Sequence, residues 1–197
     1  MAAMLKRFRA IRLRFRFLEK PHMTRTLTGL ALALALFLAP AAPAAHHSVK
    51  DDVLKAVDGM EKKLVGLAEA MPQDAYGWSP MEGVRTTSQV FMHIAAANYF
   101  ISGSLGAAMP SDVDVRGLEK NVTTQADVVE HLKKSIAHVR EAVKAVPEDQ
   151  LGEEIKMFGQ DSTKRGAMLV IVEHMSEHLG QSIAYARSNK VVPPWSN

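Results

Sequence analysis

Four stretches of this chain repeat apolar residues at the spacing of an α-helix, and that repetition limits the fold more than any other feature. From Val49 to Met71 the residues Val53, Val57, Met60, Leu64, Leu67 and Met71 recur at intervals of four and three, which puts them on one helical face. Ser48 and Asp51 have capping-box spacing at its start. A second helix is expected from about Thr86, with Gln89 three residues on, to about Gly103. The third starts near Thr124, capped with Asp127, and lines up Val128, Leu132, Ile136, Val139, Val143 and Val146.

The fourth, from about Ser162 to Arg187, is apolar on two sides. One carries Ala167, Val170, Ile171, His174, His178, Gln181 and Tyr185, and the other carries Met168, Val172, Leu179 and Ile183. A helix of that kind is central or lies at a subunit interface, so a homodimer is a natural expectation. Gly106 to Val122 reads as a long connection, VVPPWSN as an extended end, and no stretch makes a convincing strand. Four amphipathic helices of about 20 residues without strands predict an all-α fold, an antiparallel-type four-helix bundle.

The segment ahead of these helices has another character. From Met23 the chain runs through Arg25, an apolar block from Leu27 to Leu38, and small residues that offer Ala42-Pro43-Ala44 as a cleavage site. That is the pattern of a secretory signal peptide, with an apolar block too short to span a bilayer. Residues 1–44 are therefore expected to be a leader, with the true start at Met23, and residues 45–197 the exported domain, periplasmic or secreted and without a stable membrane anchor.

The leader also decides the charge argument. It holds 8 of the 24 Lys and Arg but one of the 21 acidic residues, so the remainder carries 16 basic against 20 acidic side chains, a net −4. Nothing there favours a nucleic acid or other polyanion. The chain has no cysteine, which excludes disulfides, thiolate ligands, a thiol nucleophile and a lipidated N-terminus. Any metal must be held by nitrogen and oxygen.

The histidines supply candidates. His174 and His178 stand four residues apart on one helix, where two imidazoles can converge on one ion. His93 sits among Val90, Ala96, Ala97 and Phe100 and so faces inward from the second helix. If those helices meet, three imidazoles share the interior, where a metal would satisfy all of them and keep a coordination position open. The alternative is that each ring hydrogen-bonds a carbonyl or carboxylate, with Glu173 and Glu177 as neighbouring partners or as orienters of ligand rings.

HMSEH, residues 174–178, also fits the inverted zinc-peptidase pattern, which would make Glu177 a general base. A third histidine supplies the missing ligand more simply. The di-iron bundles need Glu-x-x-His pairs on two helices, and none of the four helical segments holds one. His131 and His138 read as solvated boundary residues, and His46 and His47 as incidental.

YGWSPMEGVRTTSQVFMHIAAANYF, followed about 80 residues later by EHMSEHLGQSIAYARSNKVVPPW, resembles the DinB-like (DinB/YfiT) superfamily. The parts that carry the resemblance are Trp78 and Pro80, His93, the pair His174 and His178, and Gly180-Gln181. It implies an up-down-down-up four-helix bundle that binds a divalent metal, usually zinc or nickel, through His93, His174 and His178. It also implies thiol-dependent transferase or isomerase chemistry in some members and no known activity in many.

An oxidising periplasm holds little reduced thiol, so the expectation here is the general one. A metal-dependent transferase or hydrolase would activate water or a small nucleophile for an unidentified small-molecule substrate. The alternatives are a non-catalytic metal-binding or stress-related bundle and a structural protein. Gln181, Tyr185, Asn98 and Glu177 are candidate pocket residues, while Trp78 is expected to anchor a turn rather than to meet substrate.

Overall fold

A computed structural model describes residues 48–196. The leader, its expected cleavage site at Ala44, the start at Met23, and His46 and His47 lie outside the described residues. The described chain is mostly helical, with five α-helices and one two-stranded hairpin: α1 Val49–Ala70, α2 Thr87–Gly103, α3 Leu118–Asn121, α4 Gln125–Ala145, β1 Glu154–Met157, β2 Gln160–Thr163 and α5 Lys164–Ser188. The four long helices and their apolar stripes lie where the periodicity puts them.

The interior of α1 buries Val53, Val57, Leu64 and Leu67, and Pro72 follows its end, where a helix cannot continue. Its cap differs from the capping-box expectation. The Ser48 hydroxyl accepts from the Lys50 N–H at 3.1 Å and donates to Glu148 at 2.6 Å, so a partner from a distant turn takes the place of a reciprocal bond with Asp51. Beyond a 3-10 turn, Gln73–Gly77, the Trp78 carbonyl accepts from the Thr87 N–H at 2.9 Å, which makes Trp78 the expected anchor of the approach to α2.

The capping box of α2 is complete: the Thr86 N–H donates to the Gln89 side chain at 2.9 Å, and the Gln89 N–H donates to Thr86 Oγ1 at 3.4 Å. Twelve of its seventeen residues are buried, so it has no polar face to spare. α4 buries all six residues of its stripe, including Val146 just past its end. The long helices touch in a closed order, α1 against α4 and α5, and α2 against α4 and α5.

Polar contacts tie α1 to α4 at both ends. Lys50 Nζ donates to the Val146 carbonyl at 2.6 Å, while the Gln125 side chain donates to the Met71 carbonyl at 2.7 Å. Buried Asn98 donates to Ser135 at 3.1 Å, which joins α2 to α4 and takes Asn98 out of the candidate pocket. Among the described residues no helix is long and apolar enough to cross a membrane.

The hairpin departs from the strand-free expectation. β1 and β2 pair antiparallel with Met157 opposite Gln160, leaving a two-residue loop of Phe158 and Gly159. Both loop residues have positive φ, 51° and 79°, as a type I′ turn requires. Ser162 and Thr163 belong to β2, so α5 starts two residues later than expected, with Thr163 accepting from the Gly166 N–H at 3.0 Å. His131 and His138 are also half-buried rather than solvated, each with one enclosed ring nitrogen that has no partner. Residues 112–122 of the connection between α2 and α4 border His131, and the Tyr99 ring lies 5.1 Å from His138.

Because Thr86 fixes the first turn of the helix that carries His93, Thr86→Ala is expected to cost about 1 kcal/mol of stability. Urea denaturation of the purified variant measures it, and Thr86→Ser should recover most of the loss.

Candidate metal centre

α2 and α5 bring His93, His174 and His178 together. One ring nitrogen of each lies within 4.8 Å of those of the other two, a grouping able to hold a metal ion. The Nε2 atoms of His93 and His174 are 3.3 Å apart. Two nitrogens bound to one tetrahedral zinc at about 2.0–2.1 Å would stand roughly 3.3–3.4 Å apart, so this pair is already at ligand spacing. The ring centroids are 4.5–5.0 Å from one another, and all three rings are half-buried.

Two relays orient the rings. His93 Nδ1 donates to Glu119 Oε1 at 2.7 Å, and Arg85 Nε donates to Glu119 Oε2 at 2.8 Å. His178 Nδ1 donates to Gln181 Oε1 at 2.8 Å, Gln181 Nε2 donates to the Tyr185 hydroxyl at 3.1 Å, and that hydroxyl donates to the Arg85 carbonyl at 3.2 Å. The Trp78 ring meets Tyr185 edge-on at 5.2 Å. With Nδ1 the donor in both cases, His93 and His178 turn the lone pair of Nε2 toward the common centre, the tautomer that metal ligation requires.

His174 has no such partner, and its Nδ1 is buried and unpaired. An enclosed ring nitrogen without a hydrogen-bond partner is costly, and it is the other nitrogen, Nε2, that faces His93. Burial, then the neighbouring His178, His93 and Arg85, push its pKa down to about 4. Partial burial pushes the Glu119 carboxyl up, but the hydrogen bonds from Arg85 and His93 outweigh it and hold Glu119 below its ordinary value.

Sequence reasoning selected all three histidines, together with Gln181 and Tyr185, and the structure brings these five together. Glu173 and Glu177 are exposed and neither hydrogen-bonds a ligand ring. The carboxylate that orients His93 is Glu119, from the four-residue helix α3, and the sequence carried no signal for it beyond the acid itself. Gly117, just ahead of α3, is held there by close approach: a Cβ would lie 2.1 Å from the Asp114 carboxylate.

Two cavities lie at the site, one of them against His93 and His174, and Glu119 lines both. One of about 590 Å³ is polar, with Arg85, Gln89 and Gln181 on its walls. The other, about 390 Å³, runs from His93 and His174 along Phe100, Ile101, Phe158 and Val170.

The sequence profile of the DinB superfamily matches residues 56–182. The chain belongs to that superfamily. Its fold is similar to that of a DinB-like protein from Bacillus cereus, with 15% identity over 74% of this chain and 95% of that one and a TM-score of 0.64. A DinB-like protein from Bacillus subtilis gives 20% identity over 72% and 93%, with a TM-score of 0.58. A conserved protein from Enterococcus faecalis gives 13% identity over 72% and 97%, also at 0.58. No curated protein matches the sequence significantly.

Two outcomes follow from the geometry. Glu119→Gln removes the negative charge behind His93 and should weaken binding of a divalent metal about 10–100-fold, as chelator competition will measure. In metal-free protein, the lowered pKa of His174 means that the folded state resists a proton the unfolded state accepts. Stability is therefore present above about pH 6.5 and lost as pH falls toward about 4, and Glu119 acts in the same direction at the acid end. Denaturation between pH 7 and 4 should show that decline, with a flatter slope in His174→Gln.

Proposed function

We propose that this chain is an exported metal-dependent enzyme that acts on a small molecule through an ion held by His93, His174 and His178. The observation that carries it is the 3.3 Å approach of two Nε2 atoms beside a third imidazole, with two of the three rings already set in the ligating tautomer. The all-nitrogen donor set suits zinc or nickel. Three protein ligands leave a position at which the bound ion would lower the pKa of water or of a small nucleophile.

The residues of this chain do the rest. Glu119 and Gln181 hold ligand rings, Tyr185 and Arg85 hold those two in turn, and the two cavities admit substrate from polar and apolar sides. Both Glu119 oxygens are engaged and Glu177 is exposed, so neither stands as a free general base. The chemistry is therefore a transfer or hydrolysis in which the ion itself activates the nucleophile. The same lack of a free base supports a second reading, a metal-binding bundle without a catalytic step.

For the fold, we propose the up-down-down-up bundle. Its support is the contact of Lys50 with Val146 and of Gln125 with Met71, which sets α4 antiparallel to α1. Tyr185 reaching Arg85 sets α5 antiparallel to α2. The leader supports export to the periplasm or medium. Leu169, 56% exposed beside Val172 and Val49, offers a face for pairing with a second copy.

Metal analysis of untagged protein tests the function. One equivalent of zinc or nickel is expected in the native protein and none in His93→Ala or His174→Ala, with circular dichroism confirming that both fold. Full metal content in both variants would remove the site. Turnover of electrophiles or hydrolysable esters by the loaded protein alone would favour the enzyme over the binding bundle.

A further inference from the structure

Phe158 occupies a place that neither the turn nor the core explains. Its φ of 51° lies in the left-handed region, which Gly, Asn and Asp occupy readily and a bulky side chain does not. The residue is 76% exposed, so little packing offsets that strain. What the ring does border is the 390 Å³ cavity that ends at His93 and His174. Phe100, also on that wall, is 43% exposed, while Ile101 is buried behind it.

Two large aromatic rings are thus left open to solvent over an apolar space that reaches two of the candidate ligands. The cavity has the size of small-molecule sites. A charged group inside it would lose water without gaining a partner, because the one carboxylate at its edge is committed to His93 and Arg85.

We propose that the substrate carries an uncharged hydrocarbon group, an alkyl chain of several carbons or an aryl ring, which packs against Phe100 and Val170 beneath Phe158. Phe158 is the residue that selects it. This rests on the metal reading only in placing the substrate's polar, reactive end at His93 and His174. Polar substituents face the other cavity, where Arg85, Gln89 and Gln181 stand. The strained aromatic at the hairpin tip is a wall of the substrate pocket, held at a local cost to the turn.

The test compares acetohydroxamate with hexanohydroxamate, chelating probes that differ in chain length, by calorimetric titration of zinc-loaded wild type and Phe158→Asn. Wild type should bind the longer probe roughly tenfold more tightly or better, since each buried methylene favours binding. In Phe158→Asn that ratio should fall several-fold while the affinity for acetohydroxamate holds, and Tm should stay level or rise because Asn suits the turn. Equal affinity of wild type for the two probes overturns the pocket. An undiminished ratio in the variant overturns Phe158 as the selecting residue, and a lowered Tm would make it a packing residue instead.

If acetohydroxamate itself fails to bind, the metal reading has failed rather than the pocket. The metal-free protein then decides the pocket through n-hexanol and ethanol, read at the Ile101 methyl resonances. A saturable shift with hexanol alone, weakened in Phe158→Asn, supports the pocket, and its absence overturns it.

Discussion

The pairing of α2 with α5 sets polar rings inside an apolar shell, and most of the site follows from that placement. Imidazoles withdrawn from water need either hydrogen-bond partners or a metal. His93 and His178 each use one nitrogen on a protein acceptor and keep the other for the centre, whereas His174 has its outer nitrogen unpaired. The core around them fixes the helix spacing, with Phe91, Ile94, Met168 and Ile171 fully buried along the same two helices. The spacing of the three rings is therefore a property of helix packing rather than of flexible loops.

Around that centre the chain divides its tasks by element. α2 and α5 supply the three candidate ligands. The connection between α2 and α4 supplies Glu119, the approach to α2 supplies Arg85, and the hairpin supplies Phe158. Such a division lets the scaffold persist while loops change what binds, consistent with relatives of the same fold at 13–20% identity.

How much of this could be read in the sequence differs by element. The stripes of α1 and α4 announce helices because each period repeats over five or more turns, and every stripe residue of α4 is buried. The three histidines were legible through spacing and through the family motif together. Glu119 was not, because the partner of His93 lies 26 residues away in a segment without periodicity. Glu173 and Glu177 drew attention by adjacency, yet residues next to a helical ligand point away from its face. The hairpin was hidden by its shortness: four-residue strands give too few alternations, and its turn lacks the Asn-Gly that usually marks one. Periodicity placed His131 and His138 at the edge of α4, but it cannot foresee a loop that folds back beside His131 or a tyrosine that stacks near His138.

Arg85 is the far end of both orienting chains, one through its guanidinium and the other through its carbonyl. A shift of this single residue ahead of α2 is consequently transmitted to His93 by way of a carboxylate and to His178 by way of a phenol and an amide. Two candidate ligands from different helices thus share one mechanical ground, and the polar cavity opens directly onto it. An anion that drew the guanidinium away from Glu119 would release the hold on His93 and leave that on His178, so the contents of that cavity and the orientation of His93 are linked.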